Sequence, residues 1–176
     1  MVTSLLATEH EFARRAASIR LVLTDCDGVL TDSGVYYSAA GEELKRFSIR
    51  DGMGVERLRV AGIQTAIITG EVSLPVTRRA EKLRLEHVYE GVKDKAVLLP
   101  EIVKQHRLEL SQIAYIGDDV NDLAAMRIVS AHGLVGAPLD AFESVAAASH
   151  FRCTRRGGHG AFREFAEWIL NLRGEQ

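Results

Sequence analysis

Short aliphatic runs that alternate with helix-like segments constrain the fold of this chain more than any other feature. The runs lie at 19–24, 64–69, 87–89, 112–116 and 133–135. Strands separated by helices form parallel sheets, because each connection must cross back over the sheet before the next strand begins. The sequence therefore predicts an α/β fold, a doubly wound, Rossmann-like and mostly parallel sheet with helices on both faces.

Local signals refine two of the helices. Apolar side chains recur at helical spacing between residues 72 and 83, with Ser73 as a candidate N-cap and Pro75 in the first turn. Pro100 lies inside the apolar run 96–103. A proline inside a helix removes one backbone hydrogen bond, so we expect Pro100 to kink or split that helix.

One segment interrupts the alternation. Residues 33–52 contain two β-like runs around the turn-forming residues 39–41, which predicts a β-hairpin inserted at about 33–48. The insertion would stand over the carboxyl edge of the sheet, where open α/β folds bind ligands. We expect an N-terminal extension at 1–18 and a single domain at 19–172, without a large cap domain.

Composition excludes several classes of protein. The 176 residues are 47% hydrophobic and carry a net charge of −2, which argues against disorder and gives no basic field for nucleic acid. The apolar runs are shorter than the roughly 18 residues of a membrane span, and the N-terminus lacks a clean signal sequence. Two cysteines make no disulfide framework. We expect a cytoplasmic protein that binds neither nucleic acid nor membrane.

The strongest chemical signal is the sequence LVLTDCDGVLTD, in which an apolar strand runs directly into Asp25-Cys26-Asp27-Gly28. Side chains two residues apart on extended chain point the same way, so both carboxylates can face one site. Gly28 permits a tight turn after them. Acidic residues and glycine are also common in solvated turns, so this motif alone leaves the question open.

Three later segments place polar side chains after strands. The second strand run ends in Thr69-Gly70, Lys95 begins a helix, and another strand leads into an acidic cluster formed by Asp118, Asp119 and Asp122. The carboxyl ends of parallel strands share one edge of a sheet, so these groups should converge. Carboxylates, a hydroxyl and an ammonium group together favour a magnesium and phosphate site.

The residue types suit phosphoryl transfer. Asp25 would be the nucleophile that forms an aspartyl-phosphate, and Asp27 would protonate the leaving alcohol and later deprotonate water. Thr69, Gly70 and Lys95 would hold the phosphoryl oxygens, since positioning and electrostatics dominate such reactions. Asp118 would complete the Mg²⁺ ligands with the aspartate pair.

These motifs resemble the four motifs of the haloacid dehalogenase (HAD) phosphohydrolase superfamily. From about residue 19 to 170 the chain looks like the small, capless branch of 3-deoxy-D-manno-octulosonate (KDO) 8-phosphate phosphatases, with the phrases GEELKRFSIRDG, YIGDDVND and RGGHGAFREF. The resemblance implies that Asp27 gives Mg²⁺ its backbone carbonyl. It also implies supporting roles, outside the direct metal ligands, for Asp119 and Asp122.

The resemblance further implies a homotetramer. In that branch the inserted hairpins pack together, and a glycine-rich C-terminal segment closes over a neighbour's site; here these parts would be 34–47 and 155–160. Arg156 in the second segment suits a substrate carboxylate, which arginine binds bidentately. The alternative is that the glycine-rich segment is only a flexible loop before the last helix.

The signals for the sugar are mixed. Arg50, in the phrase IRDG, resembles the KDO 8-phosphate phosphatases. Glu71, Arg79 and Lys82 look more like the sister group that acts on 9-phosphates of nine-carbon keto-sugar acids, including keto-deoxynononate and sialic acid. The alternative for Glu71 is a surface acid near a helix N-terminus, and the alternative for Arg79 and Lys82 is a solvated position on the outer face of a helix.

Two other classes remain for comparison. A phospho-receiver module also collects acids, a threonine and a lysine at strand ends, but its phosphorylated aspartate follows a middle strand, whereas the aspartate pair here follows the first. A catalytically idle assembly module is the second alternative. The expected catalytic side chains are all present in this sequence, which favours a Mg²⁺-dependent phosphomonoesterase for a phosphorylated 2-keto-3-deoxy sugar acid.

Overall fold

The computed structural model describes residues 2–175, and the side chains of residues 9–175. The strands of this part of the chain are β1 (Leu21–Thr24), β2 (Thr31–Ser38), β3 (Gly41–Phe47), β4 (Gln64–Ile68), β5 (Val88–Tyr89), β6 (Ile113–Ile116), β7 (Leu134–Ala137) and β8 (Phe151–Arg152). The α-helices are α1 (Val2–Ser18), α2 (Ile49–Val60), α3 (Leu74–Leu83), α4 (Lys95–His106), α5 (Val120–Ser130), α6 (Glu143–Ala146) and α7 (Ala161–Leu172).

Six strands form one parallel sheet in the order β5-β4-β1-β6-β7-β8. The central strand β1 pairs with β4 on one side and β6 on the other, so that Leu23 lies between Ala66 and Tyr115. The predicted doubly wound α/β fold is confirmed. Strand β8 was not predicted, because its two residues, Phe151 and Arg152, are too few to show a pattern.

The two faces of the sheet bury two apolar layers. Val22 packs with side chains of α2, α3 and α7, whereas its neighbours Leu21 and Leu23 pack with side chains of α4 and α5. Alternation along β1 sends successive side chains to opposite faces, so every residue of this strand is buried. Burying each Leu or Val side chain stabilises the fold by about 1.5–3 kcal/mol. The helices thus hold β1 rigidly at the centre of the sheet.

The inserted hairpin is a separate two-stranded sheet made by β2 and β3, at 31–47 where the sequence predicted about 33–48. Gly41 turns the chain with a φ of +112°, a conformation that side chains disfavour. Most hairpin side chains are exposed, including Tyr36, Tyr37 and Leu44. The hairpin therefore depends on a few inward-facing residues for its position over the sheet edge.

Helix α4 corrects one of the two outcomes predicted for Pro100. It runs unbroken from Lys95 to His106 with Pro100 inside it, so the proline does not split the helix. Pro100 is exposed, so water can reach the backbone carbonyl that the proline ring leaves without a donor. The buried Leu99 and Ile102 on the opposite face hold the helix against the sheet.

Helix α1 packs onto the same domain. The Phe12 ring meets the Trp168 ring edge-on at 5.7 Å, and Arg15 Nη1 donates to the Ser130 carbonyl at 2.8 Å. Ala16 is fully buried in the layer shared with α7. The described part of the first 18 residues thus contributes to the core. Among the described helices, none combines the length and the apolar character needed to cross a membrane.

Candidate active site

The carboxyl ends of β1, β4 and β6 meet at one sheet edge and border a cleft of about 370 Å³. Residues that follow these three strands, together with one from the hairpin, line it: Asp25, Asp27, Ser33, Thr69, Gly70, Glu71, Asp118, Asp119, Val120 and Asn121. Residues 93 positions apart in the chain therefore share one cavity. The structure brings together the aspartate pair, the Thr-Gly pair and the later acidic cluster.

Asp25 follows β1 directly and is only 4% exposed. Its Oδ1 accepts hydrogen bonds from the backbone N–H of Cys26 at 2.7 Å and from Lys95 Nζ at 2.9 Å. Burial and the nearby Asp122 carboxylate raise the pKa of Asp25, and the Lys95 ammonium opposes that shift. Two donors to Oδ1 thus orient the Asp25 carboxylate, and Oδ2 faces no donor among the described residues.

Asp27 turns its carboxylate towards the hairpin side of the cleft. Its Oδ1 accepts from Thr31 Oγ1 at 3.1 Å, and its Oδ2 accepts from Lys45 Nζ at 2.6 Å. The backbone carbonyl of Asp27, which the family resemblance assigns to Mg²⁺, is not part of these contacts. The hairpin thus holds the Asp27 side chain, and these contacts leave the Asp27 backbone carbonyl unused.

Lys95 and Asp122 form a buried ion pair beside Asp25. Lys95 Nζ lies 2.6 Å from Asp122 Oδ1, which also accepts from the Tyr115 hydroxyl at 2.7 Å. Asp122 Oδ2 accepts from the backbone N–H groups of Asp118 and Asp119 at 3.1 and 3.4 Å. Both oxygens of Asp122 are therefore occupied, and they bind Lys95 and the loop after β6.

Asp118 is the least satisfied acid of the cleft. Its Oδ1 is buried without a hydrogen-bond partner among the described residues. Burial and the Asp122 and Asp119 carboxylates raise its pKa to about 7. Gly28, with a φ of +89°, makes room for it, because a Cβ there would lie 1.9 Å from Asp118 Oδ2. The side chain is held next to the chain that leaves β1.

The donor set fits a divalent cation. Carboxylate oxygens of Asp25, Asp118 and Asp122 lie within 4.8 Å of one another. One ammonium, that of Lys95, faces these three carboxyl groups, so the cluster holds more acidic groups than basic ones. Because both oxygens of Asp122 are occupied, Asp25 and Asp118 are the carboxylates of this group that could hold Mg²⁺.

Thr69 and Gly70 form the wall of the cleft opposite Asp118. Thr69 is buried at the end of β4, and its Oγ1 accepts from the Glu71 backbone N–H at 3.3 Å. This contact uses Thr69 Oγ1 as an acceptor, so it leaves the hydroxyl hydrogen free to donate. Asp119 has a different task, since its Oδ1 accepts from the Val120 N–H at 2.6 Å and caps α5.

The specificity candidates are divided by the structure. Glu71 lines the cleft, whereas Arg79 and Lys82 line a separate cavity beside α2. Arg50 lines a third cavity, together with Arg155 and His159, and Arg156 is exposed on the glycine-rich segment. Among the described residues of one copy of the chain, Glu71 is the one specificity candidate that lines the cleft.

The glycine-rich segment is packed, not loose. Gly158 N–H donates to the Val29 carbonyl at 2.9 Å, and Gly157 N–H donates to Asp140 Oδ1 at 3.0 Å. A Cβ at Gly157 would lie 1.9 Å from the Gly28 carbonyl oxygen, so only glycine fits. The segment therefore supports the turn that follows Asp25 and Asp27 within the same chain.

Sequence reasoning missed Lys45, Glu42 and Ser73. Lys45 contacts Asp27, Glu42 lies 3.5 Å from Lys45, and the Ser73 hydroxyl donates to Glu42. Ser73 does begin α3 as predicted, but its side chain makes no capping bond. The local signal for Lys45 and Glu42 was the three charged residues in GEELK, which look like an ordinary solvated strand face until the register of the hairpin is known.

The sequence is similar to curated phosphatases of one activity. It is 40% identical over 157 residues to the KDO 8-phosphate phosphatase KdsC of Yersinia pestis, covering 89% of this chain and 82% of the relative. The KdsC of Haemophilus influenzae is 38% identical over 162 residues, with 92% and 88% covered. No family model matches the chain.

Solved structures agree with these relatives. The KDO 8-phosphate phosphatase of Moraxella catarrhalis, in complex with a magnesium ion, a phosphate ion and a KDO molecule, has a TM-score of 0.87 and 39% identity, covering 93% of this chain and 92% of the other. A HAD superfamily (subfamily III A) hydrolase from Legionella pneumophila has a TM-score of 0.90 and 37% identity, with 98% and 93% covered.

Proposed function

This chain belongs to the KdsC family of HAD phosphatases, and on that premise we propose that it hydrolyses KDO 8-phosphate to KDO and phosphate. The family assignment makes the protein a phosphoric monoester hydrolase. The observation that carries the choice of substrate is that a relative sharing 39% of its residues and the whole fold holds KDO, phosphate and magnesium together. The cleft of this chain presents matching chemistry.

Magnesium is the cofactor, and Asp25, Asp118 and the Asp27 carbonyl would hold it. When bound, Mg²⁺ supplies positive charge that screens the carboxylates from the incoming phosphate and stabilises the charge of the transition state. The excess of carboxyl groups over the single ammonium of Lys95 and the unpartnered Asp118 Oδ1 support this assignment. Thr69, Gly70 and Lys95 would bind phosphoryl oxygens from the other side.

The first chemical step uses Asp25 as the nucleophile. An Asp25 oxygen attacks phosphorus while the bond from phosphorus to the sugar oxygen breaks, and Asp27 delivers a proton to that oxygen. Lys95, at 2.9 Å from Asp25 Oδ1, fixes the orientation of the nucleophile. The products of this step are the free sugar acid and a phosphorylated Asp25.

The second step releases phosphate. Asp27, now ionised, takes a proton from a water molecule as the water oxygen bonds to phosphorus, and the bond between phosphorus and Asp25 breaks. Asp25 regains its carboxylate, Asp27 regains its proton, and one water has been consumed. The enzyme returns to its starting state with each proton accounted for.

A nine-carbon substrate is the second candidate, favoured by the position of Glu71. Glu71 lies in the cleft beside Thr69 and Gly70, where its carboxylate can accept hydrogen bonds from sugar hydroxyls. That arrangement suits the 9-phosphates of keto-deoxynononate or sialic acid. The family assignment makes KDO 8-phosphate the first choice.

We also propose a homotetramer, in which a neighbouring copy supplies the charges that one copy lacks at its cleft. Arg79, Lys82 and Arg50 lie away from the cleft of their own chain, as does Arg156. The exposed apolar side chains of the hairpin support such packing: Val35, Tyr36, Tyr37 and Leu44. Light scattering of the purified protein tests this assembly directly, and a monomer at working concentrations contradicts it.

The activity is tested by measuring phosphate release with Mg²⁺ from KDO 8-phosphate, nononate 9-phosphates and hexose phosphates under identical conditions. We expect kcat/KM for KDO 8-phosphate to exceed the others by about tenfold or more, equivalent to about 1.4 kcal/mol in transition-state binding. Preference for a 9-phosphate would establish the second candidate. Uniformly weak hydrolysis of all three classes would contradict both.

A further inference from the structure

One lysine of the hairpin is turned inward. The other residues of β3 are exposed or half-buried, but the Lys45 side chain has 0% exposure. Its Nζ lies 2.6 Å from Asp27 Oδ2. Burying an ammonium costs several kcal/mol unless it is paired, so a lysine at this position requires a partner such as the Asp27 carboxylate.

The hairpin holds both oxygens of Asp27. Lys45 binds Oδ2, and Thr31, the first residue of β2, binds Oδ1 through its hydroxyl at 3.1 Å. Thr31 pairs with Phe47 and Val35 pairs with Lys45 across the hairpin. The register of β2 against β3 therefore determines where the Asp27 carboxylate points.

Lys45 is itself anchored to the opposite wall of the cleft. Glu42 Oε2 lies 3.5 Å from Lys45 Nζ, and the Ser73 hydroxyl donates to Glu42 Oε1. Ser73 is buried at the start of α3, and its N–H donates to Glu90 Oε1 at 3.1 Å. A continuous set of contacts thus joins the hairpin, Asp27 and the segment that carries Thr69 and Gly70.

We propose that Lys45 is a positioning residue that holds the Asp27 carboxyl group in line with the leaving oxygen of the substrate. The inference rests on the proposed function, in which Asp27 transfers protons to the sugar oxygen and from water. Without Lys45, Oδ2 loses its only protein donor among the described residues, and the carboxyl group can rotate. The loss then falls on proton transfer to the leaving group, while attack by Asp25 is retained.

Leaving groups separate this role from a merely structural one. A sugar alkoxide must be protonated as it departs, whereas p-nitrophenolate departs as an anion near neutral pH. In the first turnover, release of p-nitrophenol from p-nitrophenyl phosphate needs Asp25 but little help from Asp27. General structural damage would slow both substrates alike.

The test compares the wild-type protein with the variant Lys45→Met, which retains length without charge. We expect turnover of KDO 8-phosphate to fall by about 30-fold or more. The first-turnover burst of p-nitrophenol should stay within about threefold of wild type. Lys45→Arg should recover part of the lost sugar-phosphate turnover. Arg46→Met, which removes one positive charge from the neighbouring exposed side chain, should leave the ratio of the two rates unchanged.

Equal losses for both substrates in Lys45→Met, or no loss for KDO 8-phosphate, would overturn the proposal. If Lys45→Met fails to fold, Glu42→Gln replaces it, because this substitution weakens the contact that anchors Lys45. Glu42→Gln should lower KDO 8-phosphate turnover relative to the p-nitrophenol burst, by a smaller factor than Lys45→Met. An unchanged ratio of the two rates would contradict the positioning role of Lys45. A different result would contradict the proposed function: wild-type protein would hydrolyse p-nitrophenyl phosphate but no sugar-acid phosphate. In that case a hexose phosphate replaces KDO 8-phosphate as the substrate with an alkyl leaving group, and the role of Lys45 is tested by the same ratio of rates.

Discussion

Burial raises the pKa of both Asp51, which is buried, and Asp118, which is half-buried at the cleft, yet the surroundings of the two aspartates differ. Asp51 lies where α2 meets α7, and its two oxygens accept the N–H groups of Gly160 at 3.1 Å and Arg163 at 3.0 Å. Asp118 lies at the cleft with a buried Oδ1 that has no partner among the described residues.

The contrast separates a structural aspartate from a candidate ligand. At Asp51, backbone donors at the start of α7 replace the lost water, so the carboxylate joins two helices. At Asp118, the Asp122 and Asp119 carboxylates outweigh the opposing effect of the Lys95 ammonium on the pKa, and no donor satisfies Oδ1 among the described residues. Burial and a raised pKa are therefore weak evidence of function by themselves. The number of carboxylate oxygens that accept hydrogen bonds from the protein distinguishes the structural aspartate from the candidate metal ligand.

Asp122→Asn should produce the largest effect, because Asp122 is buried like Asp51 but supports the cleft. The amide nitrogen cannot accept a hydrogen bond, so either the Lys95–Tyr115 side or the loop N–H groups lose a partner. Breaking this buried ion pair should cost about 3–5 kcal/mol in the free energy of unfolding, measured in urea. Turnover per folded molecule should fall as well. An Asp122→Asn variant with the stability of wild type would contradict the supporting role of Asp122.

Asp118→Asn should lower activity with little effect on folding. The substitution removes a charge from an oxygen that holds no protein donor, so the fold loses nothing, but Mg²⁺ loses one carboxylate. We expect phosphate release to fall by about 100-fold, near 2.7 kcal/mol in transition-state stabilisation. Asp119→Asn is the matched neighbour; because Asp119 caps α5, its loss in activity should be tenfold or less. Equal losses of activity in Asp118→Asn and Asp119→Asn would show that the number of hydrogen-bonded carboxylate oxygens does not identify a metal ligand.

Asp51→Asn should have the opposite effect, lowering stability while leaving activity nearly unchanged. Losing one of the two carboxylate oxygens that accept backbone N–H groups at the start of α7 should lower the free energy of unfolding by about 1–3 kcal/mol. Phosphate release per folded molecule, at a temperature where the variant is fully folded, should stay within twofold of wild type. A specific loss of activity without a loss of stability would place Asp51 in the reaction and contradict the contrast.

The smallest effect concerns pH. Folded Asp118 keeps its proton until about pH 7, whereas the unfolded group loses it near its ordinary pKa of 3.8. Between these values the folded state binds more protons, so the stability of Mg²⁺-free protein should fall as pH rises from about 4 to 7. The cleft admits water, so we expect a change of about 1 kcal/mol. Mg²⁺ should therefore stabilise the protein more at pH 8 than at pH 6, and Asp118→Asn should remove that difference. Thermal unfolding with and without Mg²⁺ measures it.

Sequence reasoning could place Asp25, Thr69 and Asp118 together because parallel strands end at one edge of a sheet. That rule needs only the order of strands and helices, which the aliphatic runs show. The roles of these residues in catalysis stay predictions until they are assayed. Asp122 was also predictable as a supporting residue, but only through the family resemblance, since nothing local indicates its bonds to Lys95 and Tyr115.

Lys45 could not be found in the same way. Which face of β3 turns inward depends on the irregular register of the hairpin, which shifts between Thr31 and Val35 and again between Tyr36 and Tyr37. Likewise, the Ser73 hydroxyl could cap α3 or reach Glu42, and only the packed structure shows that it contacts Glu42. Contacts between separately folding segments depend on register and packing, which local patterns do not determine.

The most direct measurement of the central claim is Mg²⁺-dependent phosphate release from KDO 8-phosphate by wild type and Asp25→Asn side by side. We predict turnover by wild type that excess chelator abolishes and Mg²⁺ restores. The variant should be at least about 1000-fold slower while folding normally, because the amide cannot attack phosphorus. Turnover by Asp25→Asn within a few-fold of wild type, or a wild-type rate that ignores the chelator, would contradict the account.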